Sequence, residues 1–142
     1  MKILFLLGLI FFTVQVNAQN QDSLLIRNLL NRQVEGWNSG SIETFMQGYW
    51  KSDSLRFASG NTITYGWQST FDRYKKRYSD KEKMGKLEFI VFEIVFFSPE
   101  NALVFGRWIL NRNQDSMKGL FTLTLKKQNE SWKITADHTS SE

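Results

Sequence analysis

The apolar pattern changes its period once along this chain, and that change constrains the fold more than any other feature. From Met84 onward, apolar residues recur at every second position, which is typical of strands. Short polar turns divide this half into predicted strands over residues 86–97, 102–111, 118–127 and 131–138. Sequential strands with tight turns pair as a meander, so this half is predicted to be one antiparallel sheet.

Helical spacing precedes the predicted sheet. Asp22 is a candidate N-cap for a first helix that ends at Asn38-Ser39-Gly40, and Ser41 is a candidate N-cap for a short second helix. Residues 55–65 are predicted to form a small hairpin, and a third helix follows Gly66. Helices followed by strands predict an α+β domain.

Residues 1–18 are predicted to be a secretory signal peptide. Lys2 precedes an apolar run from Ile3 to Val14, and Val16 and Ala18 occupy the two positions that a signal peptidase recognises. The alternative is a retained anchor, but the run is shorter than the ~20 residues of a membrane-spanning helix. We expect cleavage after Ala18, a single domain over residues 19–142 without a stable membrane anchor, and a bacterial periplasmic or extracellular location.

Charge and cysteine content exclude several classes of site. The chain has no cysteine, which excludes disulfides, thiol catalysis and thiolate metal sites. Its net charge of +4 is too small to favour a nucleic-acid partner. It has one histidine and no glycine-rich phosphate loop. We therefore expect no metal, no cofactor and no nucleic acid.

Aromatic residues make up 15% of the chain, which is more ring area than a core of this size requires. Those best placed to line a pocket are Trp37, Tyr49, Trp67, Tyr74 and Trp108. The alternative for each is a core position, but tyrosine and tryptophan also carry polar groups that a sealed core must satisfy. We predict that these residues and His138 line a cavity for a small, partly apolar ligand.

Alternation along the last predicted strand assigns its side chains to two faces. The even-numbered positions 132–138 share the inward face, and Asp137 lies on the outer face. His138 is the candidate acid–base, because histidine is the residue type that commonly serves as a general acid or base near neutral pH. The alternative is a rim residue that bonds a neighbouring loop. Asp137 is expected to form an ion pair or a dimer contact with Arg107, unless both face the cavity.

Two other groups of charged residues have structural interpretations. Asp53 lies between the second helix and the hairpin, where a carboxylate commonly caps a turn. The basic residues between Arg73 and Lys86 alternate with tyrosines, as in a nucleic-acid surface. Helical spacing instead directs the tyrosines inward and the cations outward, so we interpret this run as a solvated face.

The first two long strands are apolar on both faces. Ile90-Val91-Phe92 and Leu103 to Phe105 are such segments. A strand that is apolar on both faces requires cover on both faces. Helices cover one side, and a second subunit is the economical cover for the other. The sequence therefore predicts a homodimer through the outer sheet face.

Several short motifs occur in a recognisable order along residues 19–142. They are Trp37-Asn38-Ser39-Gly40, Phe45-Met46-Gln47-Gly48-Tyr49-Trp50, Gly66-Trp67, Arg73-Tyr74, Met84-Gly85, Gly106-Arg107-Trp108, Gly119-Leu120-Phe121-Thr122, Trp132-Lys133-Ile134 and Asp137-His138-Thr139-Ser140. Their order resembles the nuclear-transport-factor-2-like (NTF2-like) cone fold, and more narrowly its DUF4440 or SnoaL-like group. The resemblance implies N-terminal helices packed on a curved antiparallel sheet around a cavity. It implies no single reaction, because the fold hosts isomerases, cyclases, dehydratases and non-catalytic modules.

Three functions are compatible with these residues. The first is an exported protein that binds a small, partly apolar ligand in the aromatic cavity. The second is an isomerase, cyclase or dehydratase with His138 as acid–base and Tyr49 or Trp67 orienting the substrate. The third is a dimeric assembly module. Steroid isomerases of this fold carry a carboxylate base on the first short strand, and residues 55–59 contain none, which favours binding.

Overall fold

The computed structural model describes residues 2–142, and it describes side chains from residue 19 onward. The side chains of the predicted signal peptide therefore lie outside the described residues. The helices are α1 (Lys2–Asn38), α2 (Ile42–Met46), α3 (Trp67–Arg77) and α4 (Lys81–Met84). The strands are β1 (Arg56–Ser59), β2 (Thr62–Tyr65), β3 (Lys86–Ser98), β4 (Asn101–Asn111), β5 (Ser116–Gln128) and β6 (Ser131–Thr139). No helix in the described part of the chain is long and apolar enough to cross a bilayer.

The strands form one curved sheet in the order β2-β1-β6-β5-β4-β3, which confirms the predicted α+β class. The meander from β3 to β6 is antiparallel throughout, as predicted. The hairpin joins this sheet in an unexpected direction, because β1 runs parallel to β6. The sheet is therefore mixed. The pairing of β1 with β6 joins distant parts of the chain, so local spacing contains no signal for it.

The C-terminal end of α1 is fastened to the sheet. The Asn38 side chain donates a hydrogen bond to the Leu87 carbonyl at 3.0 Å and accepts one from the Leu87 N–H at 2.7 Å. Ser41 caps α2 as predicted, since its hydroxyl accepts a hydrogen bond from the Thr44 N–H at 3.1 Å. The Asn38 contacts hold the end of α1 against the start of β3 and so position one wall of the interior.

The prediction that Asp22 caps the first helix is wrong, because α1 continues through this residue. The Asp22 carboxylate is buried and accepts a hydrogen bond from Trp132 Nε1 at 2.9 Å. It also pairs with Lys127 Nζ at 3.0 Å. Asp22 therefore links α1 to β5 and β6 instead of capping a helix.

The core lies between the helices and the concave face of the sheet. Phe121, Leu123 and Leu125 are buried there, which confirms the inward face predicted for β5. The helices contribute buried residues at helical spacing, among them Ile26, Leu30, Trp37 and Phe45. Periodicity alone identified these faces because each belongs to one regular element.

A β-bulge in β6 changes which side chains face this interior. Thr124 pairs with Ala136 while Leu125 pairs with Ile134, so Thr135 is an extra residue on β6. Beyond this point the odd-numbered positions face inward, and Asp137 is buried while His138 is exposed. The prediction that His138 faces inward and Asp137 outward is therefore wrong. It assumed unbroken alternation, and one extra residue inverts every position that follows.

Candidate functional site

A cavity of about 310 Å³ lies between the helices and the concave face of the sheet. Its size is at the lower end of ligand pockets, which span about 300–1,000 Å³. Among the aromatic residues predicted to line a pocket, the structure brings together Trp37, Tyr49, Tyr74 and Trp108. Apolar side chains of the sheet complete much of the wall, among them Phe57, Leu87, Phe89, Leu110, Phe121 and Leu123.

The two tryptophans of the cavity use their polar groups elsewhere. Trp37 Nε1 donates to the Met84 carbonyl at 2.9 Å, and Trp108 Nε1 donates to the Ser140 carbonyl at 3.0 Å. Their ring surfaces are therefore what they can offer to a ligand.

Trp67 is not among the cavity-lining residues. It stacks on Phe71 with ring centroids 5.1 Å apart, and its Nε1 donates to the Met46 carbonyl at 3.0 Å. Its predicted contact with a ligand is untested. Asp53 also lies outside the lining and is exposed. The turn beside it is held by Ser52, whose hydroxyl accepts from the Ser54 N–H at 3.1 Å.

Asp137 is the acidic residue in the cavity wall, and it is 7% exposed. The Tyr49 hydroxyl donates to Asp137 Oδ2 at 2.6 Å. Asp137 Oδ1 has no hydrogen-bond partner, and it is the one buried side-chain nitrogen or oxygen of which this is true among the side chains described. Burial raises the pKa of Asp137 to about 7, and the hydrogen bond from Tyr49 lowers that pKa in part. The carboxyl therefore exchanges its proton near neutral pH.

Two tyrosine hydroxyls accompany this carboxyl. Burial raises the pKa of Tyr49 well above its usual value, and the neighbouring Asp137 raises it further. Burial and the same carboxyl also raise the pKa of Tyr74. Both phenols therefore stay protonated at neutral pH and can donate hydrogen bonds. Asp137, Tyr49 and Tyr74 form the polar part of the cavity.

Two cations of α3 also belong to the wall, although the sequence assigned them to a solvated face. Arg73 is half-buried, and its Nη1 donates to Thr64 Oγ1 at 2.9 Å. Its guanidinium carbon lies 5.2 Å from the centre of the Phe57 ring. Arg77 follows one turn later and is exposed. Each arginine immediately precedes an inward-facing tyrosine, Tyr74 or Tyr78, and this adjacency was the signal available in the sequence.

His138 lies on the outer face of the sheet and is not part of the cavity. In the strand register it stands beside Thr122, which in turn stands beside Phe105. Arg107 shares this outer face and lies 5.7 Å from the Phe92 ring. Because Asp137 is on the opposite face, the expected contact between Asp137 and Arg107 is not formed.

Where side chains are described, no group of three or more histidine, aspartate and glutamate residues is arranged to hold a metal ion. In the cavity the carboxyl of Asp137 stands with phenols and arginines. Such a set suits hydrogen bonding to an organic ligand.

Comparisons with solved structures agree with this architecture. An NTF-2 like protein of unknown function from Shewanella oneidensis is 42% identical, with a TM-score of 0.82 over 84% of this chain and 98% of that chain. A putative scytalone dehydratase from Novosphingobium aromaticivorans is 10% identical, with a TM-score of 0.75 over 89% of this chain and 88% of that chain. A ketosteroid isomerase-like protein from Erwinia carotovora atroseptica is 15% identical, with a TM-score of 0.66 over 83% and 94% of the two chains.

The two distant likenesses show the fold alone. No protein-family model matches the chain, and no curated protein matches it. The Shewanella oneidensis protein shares both sequence and fold with this chain along nearly its whole length. This chain therefore belongs to the NTF2-like family.

Proposed function

We propose that the cavity binds a small, partly apolar molecule that forms a hydrogen bond with Asp137 Oδ1. The observation that carries the proposal is that this buried oxygen has no partner while the other oxygen is held by Tyr49. A buried polar atom without a hydrogen bond is costly, so such atoms are rare in native proteins. The protonated carboxyl can donate from Oδ1 to a carbonyl, and the ionised form can accept from a hydroxyl.

The apolar side chains of the cavity wall support a partly apolar ligand. Trp37 and Trp108 present rings whose N–H groups are already bonded to backbone carbonyls. Apolar walls with a few placed polar groups are typical of small-molecule sites. A compact ring compound with one oxygen directed at Asp137 would complement both parts of the lining.

Native mass spectrometry of the protein purified from its own periplasm tests this proposal. We expect a small molecule to co-purify, to be lost on organic extraction, and to be absent from an Asp137→Leu variant. Asp53→Leu is the matched control, because Asp53 is exposed outside the cavity. Failure of the extracted wild type to take up any compound from a panel of hydroxylated and carbonyl-bearing rings would contradict the proposal.

A second candidate function, acid–base catalysis, is favoured by the pKa of about 7 at Asp137. A catalytic acid–base is most effective when its pKa lies near the working pH. In this hypothesis Asp137 replaces His138, and Tyr49 and Tyr74 orient the substrate. The reaction class stays that of an isomerase, cyclase or dehydratase.

Proton exchange tests the catalytic candidate. Ring ketones are incubated with the protein in deuterium oxide, and exchange beside the carbonyl is followed by NMR. We expect Asp137→Asn to lower the exchange rate by about 100-fold or more, and His138→Ala to leave it unchanged. Loss of exchange in His138→Ala with retention in Asp137→Asn would overturn the assignment.

We also propose that the protein is a homodimer that associates through the outer sheet face. Large apolar side chains are exposed on it, namely Ile90, Phe92, Phe105 and Leu120. In the strand register Ile90 and Leu120 stand on either side of Arg107, and the Phe92 ring also lies beside this arginine, so the apolar side chains surround one cation. Contiguous exposed apolar surface marks interaction sites. Sedimentation of the purified protein tests the association.

Export and subfamily complete the proposal. Export rests on the apolar run of residues 3–14 and on Ala18, and the mass of the periplasmic protein should show residue 19 as its first residue. Recovery of the uncleaved chain from the membrane would contradict it. Placement in the DUF4440 or SnoaL-like group rests on the order of the motifs. An alignment of that group without counterparts of Gly106-Arg107-Trp108 and Trp132-Lys133-Ile134 would contradict this placement.

A further inference from the structure

We propose that the ligand is an organic acid: a compact ring compound whose carboxylate is bound by Arg73 and Arg77 while a second oxygen reaches Asp137. This inference rests on the proposed function and names the chemical class of its ligand. The basis is an arrangement of charge in the wall. Both arginines line the cavity, and the acidic residue in the lining is Asp137.

The two arginines lack counter-charges. Among the described side chains, no carboxylate oxygen lies within 4.0 Å of either guanidinium. Arg73 bonds only a neutral side-chain partner, Thr64, and contacts the face of Phe57. Arg77 lies over the ring of Tyr78 at 5.7 Å. A cation held against aromatic rings and one hydroxyl keeps donors available for an anion, because guanidinium has five N–H groups.

The two arginines differ from the neighbouring lysines of α3 because the arginines line the cavity and the lysines do not. Lys75 pairs with Glu43 at 3.8 Å, and Lys76 is exposed. Neither lysine lines the cavity. Cations near a helix C-terminus are favourable wherever they point, so the helix alone does not require two of them in the cavity wall. Their place beside Tyr74 and Tyr78 directs positive charge at the ligand space.

The polar groups are graded in depth across the cavity. Arg77 is exposed, Arg73 is half-buried and Asp137 is buried. A ligand with a carboxylate near the mouth and a hydroxyl or carbonyl at its inner end would match this order. Arginine binds carboxylates through two parallel hydrogen bonds, which also orients the ligand. The aromatic wall between these groups suits a ring.

A matched series of probes tests the inference with the full-length purified protein. The probes are a hydroxynaphthoic acid with its two groups at opposite ends, its primary amide, its methyl ester, and the naphthyl phosphate with the same hydroxyl. Affinities are measured by calorimetry at low and high salt. We expect the acid to bind at least about tenfold tighter than the amide or the ester, since a charge-assisted hydrogen bond contributes that much. Added salt should weaken the binding of the acid and leave the affinities of the neutral probes unchanged.

Charge-removing variants identify the residues. Arg73→Met should weaken the binding of the acid by about tenfold and the binding of the amide by less than about twofold. Arg77→Met should act in the same direction by about two- to threefold, because this side chain is exposed to screening solvent. Lys76→Met is the control, since it removes the same charge from the same helix outside the cavity. Arg77→Met also keeps the test available if Arg73→Met fails to fold, because Arg77 has fewer contacts.

The outcomes separate this inference from the proposed function. If the neutral probes bind as tightly as the acid, and if their binding is weaker in Asp137→Leu, the organic-acid inference is overturned and the proposed binding function stands. Binding of no probe in any form would overturn both. Tighter binding of the phosphate than of the carboxylate would assign the arginines to a different anion and would overturn the proposed class. Equal weakening of acid and amide in Arg73→Met would show a structural role only.

Discussion

Among the single residues of the cavity, Asp137 is the acidic group that can donate, accept or transfer a proton. One carboxyl oxygen is held by Tyr49, and the other has no partner although it is buried. A group in this state titrates in a range where exposed aspartates do not, because burial disfavours its charged form. The burial of Asp137 therefore affects the stability of the fold as well as the proposed binding of a ligand.

We predict that Asp137→Asn reduces the pH dependence of stability. The pKa of Asp137 is about 7 in the folded chain, and it is about 3.9 in an unfolded chain. Between these values the folded state holds a proton that the unfolded state has lost. The free energy of unfolding therefore falls as pH rises through this window, by about 4 kcal/mol in total, and is level above it. The asparagine variant lacks this fall.

Urea unfolding at about pH 5 and about pH 8 measures the difference. The wild type should lose more stability between the two conditions than Asp137→Asn does, because asparagine does not titrate. Asp53→Asn is the control, since Asp53 is exposed. An equal loss in the wild type and in Asp137→Asn would show that this carboxyl is not the source.

We predict that Tyr49→Phe raises the pKa of Asp137 further. The hydrogen bond from Tyr49 stabilises the ionised carboxyl and lowers its pKa in part. Its removal leaves burial unopposed, so protonation should persist to higher pH. NMR titration of the carboxyl carbon measures the shift. Tyr65→Phe, on an exposed tyrosine, should leave it unchanged, and a lower pKa in Tyr49→Phe would contradict the assigned role.

At the element scale, the bulge in β6 decides which residues reach the cavity. Ile134 and Asp137 both face inward although they are three positions apart, because Thr135 is extra. In a regular strand, residues an odd number of positions apart face opposite sides. Bulges of this kind commonly redirect a side chain beside a functional site. The bulge thereby places a carboxyl, and not the imidazole of His138, next to Tyr49.

We predict that deletion of Thr135 is tolerated and that deletion of Lys133 is not. Without Thr135 the strand becomes regular, and Ile134 and Asp137 keep their inward faces; the cost is about 1–2 kcal/mol, including the hydrogen bond from Thr135 to the Thr124 carbonyl. Deletion of Lys133 removes a residue from a regular stretch and turns Trp132 away from the core, which should cost about 3–5 kcal/mol.

Thermal unfolding compares the two deletions, and NMR titration reports whether Asp137 keeps its raised pKa in the first. Equal destabilisation by both deletions would argue against a true extra residue at position 135. Loss of the raised pKa in the Thr135 deletion would argue that the bulge does more than set the face of Asp137.

At the scale of the whole molecule, the sheet separates two surfaces with different chemistry. Its concave face and the helices enclose the cavity with Asp137. Its outer face carries His138, Arg107 and exposed apolar side chains. The proposed ligand binding and the proposed subunit association can therefore be tested independently, and variants of one face serve as controls for the other.

We predict that Leu120→Lys converts the proposed dimer to a monomer. Leu120 is 52% exposed, and a lysine there would replace an apolar contact of the proposed interface with a second cation beside Arg107. Sedimentation velocity over a range of concentrations measures the association. Leu24→Lys is the control, because Leu24 is similarly exposed, at 57%, on α1. A monomeric wild type, or a dimer that survives Leu120→Lys, would contradict an interface at this face.

Local patterns in the sequence specify the class of fold and most of its elements. Helical spacing before residue 50 and after Gly66, period two after residue 84, and the cap at Ser41 are local signals, and the corresponding elements form there. The inward face of β5 and the inward direction of Tyr74 and Tyr78 follow from the same regular spacing. Such features depend on neighbours within one element, so the chain carries them without reference to its fold.

The side chains that line the cavity depend on contacts between elements, which no local pattern describes. The parallel pairing of β1 with β6 and the extra residue at Thr135 depend on partners distant in the chain, and together they set the surroundings of Asp137. Arg73 enters the wall because α3 crosses the hairpin, where Thr64 holds it. A period describes one strand or helix, whereas a binding site is formed where several meet. One unpredicted residue in a strand was therefore enough to exchange a histidine for an aspartate as the candidate functional group.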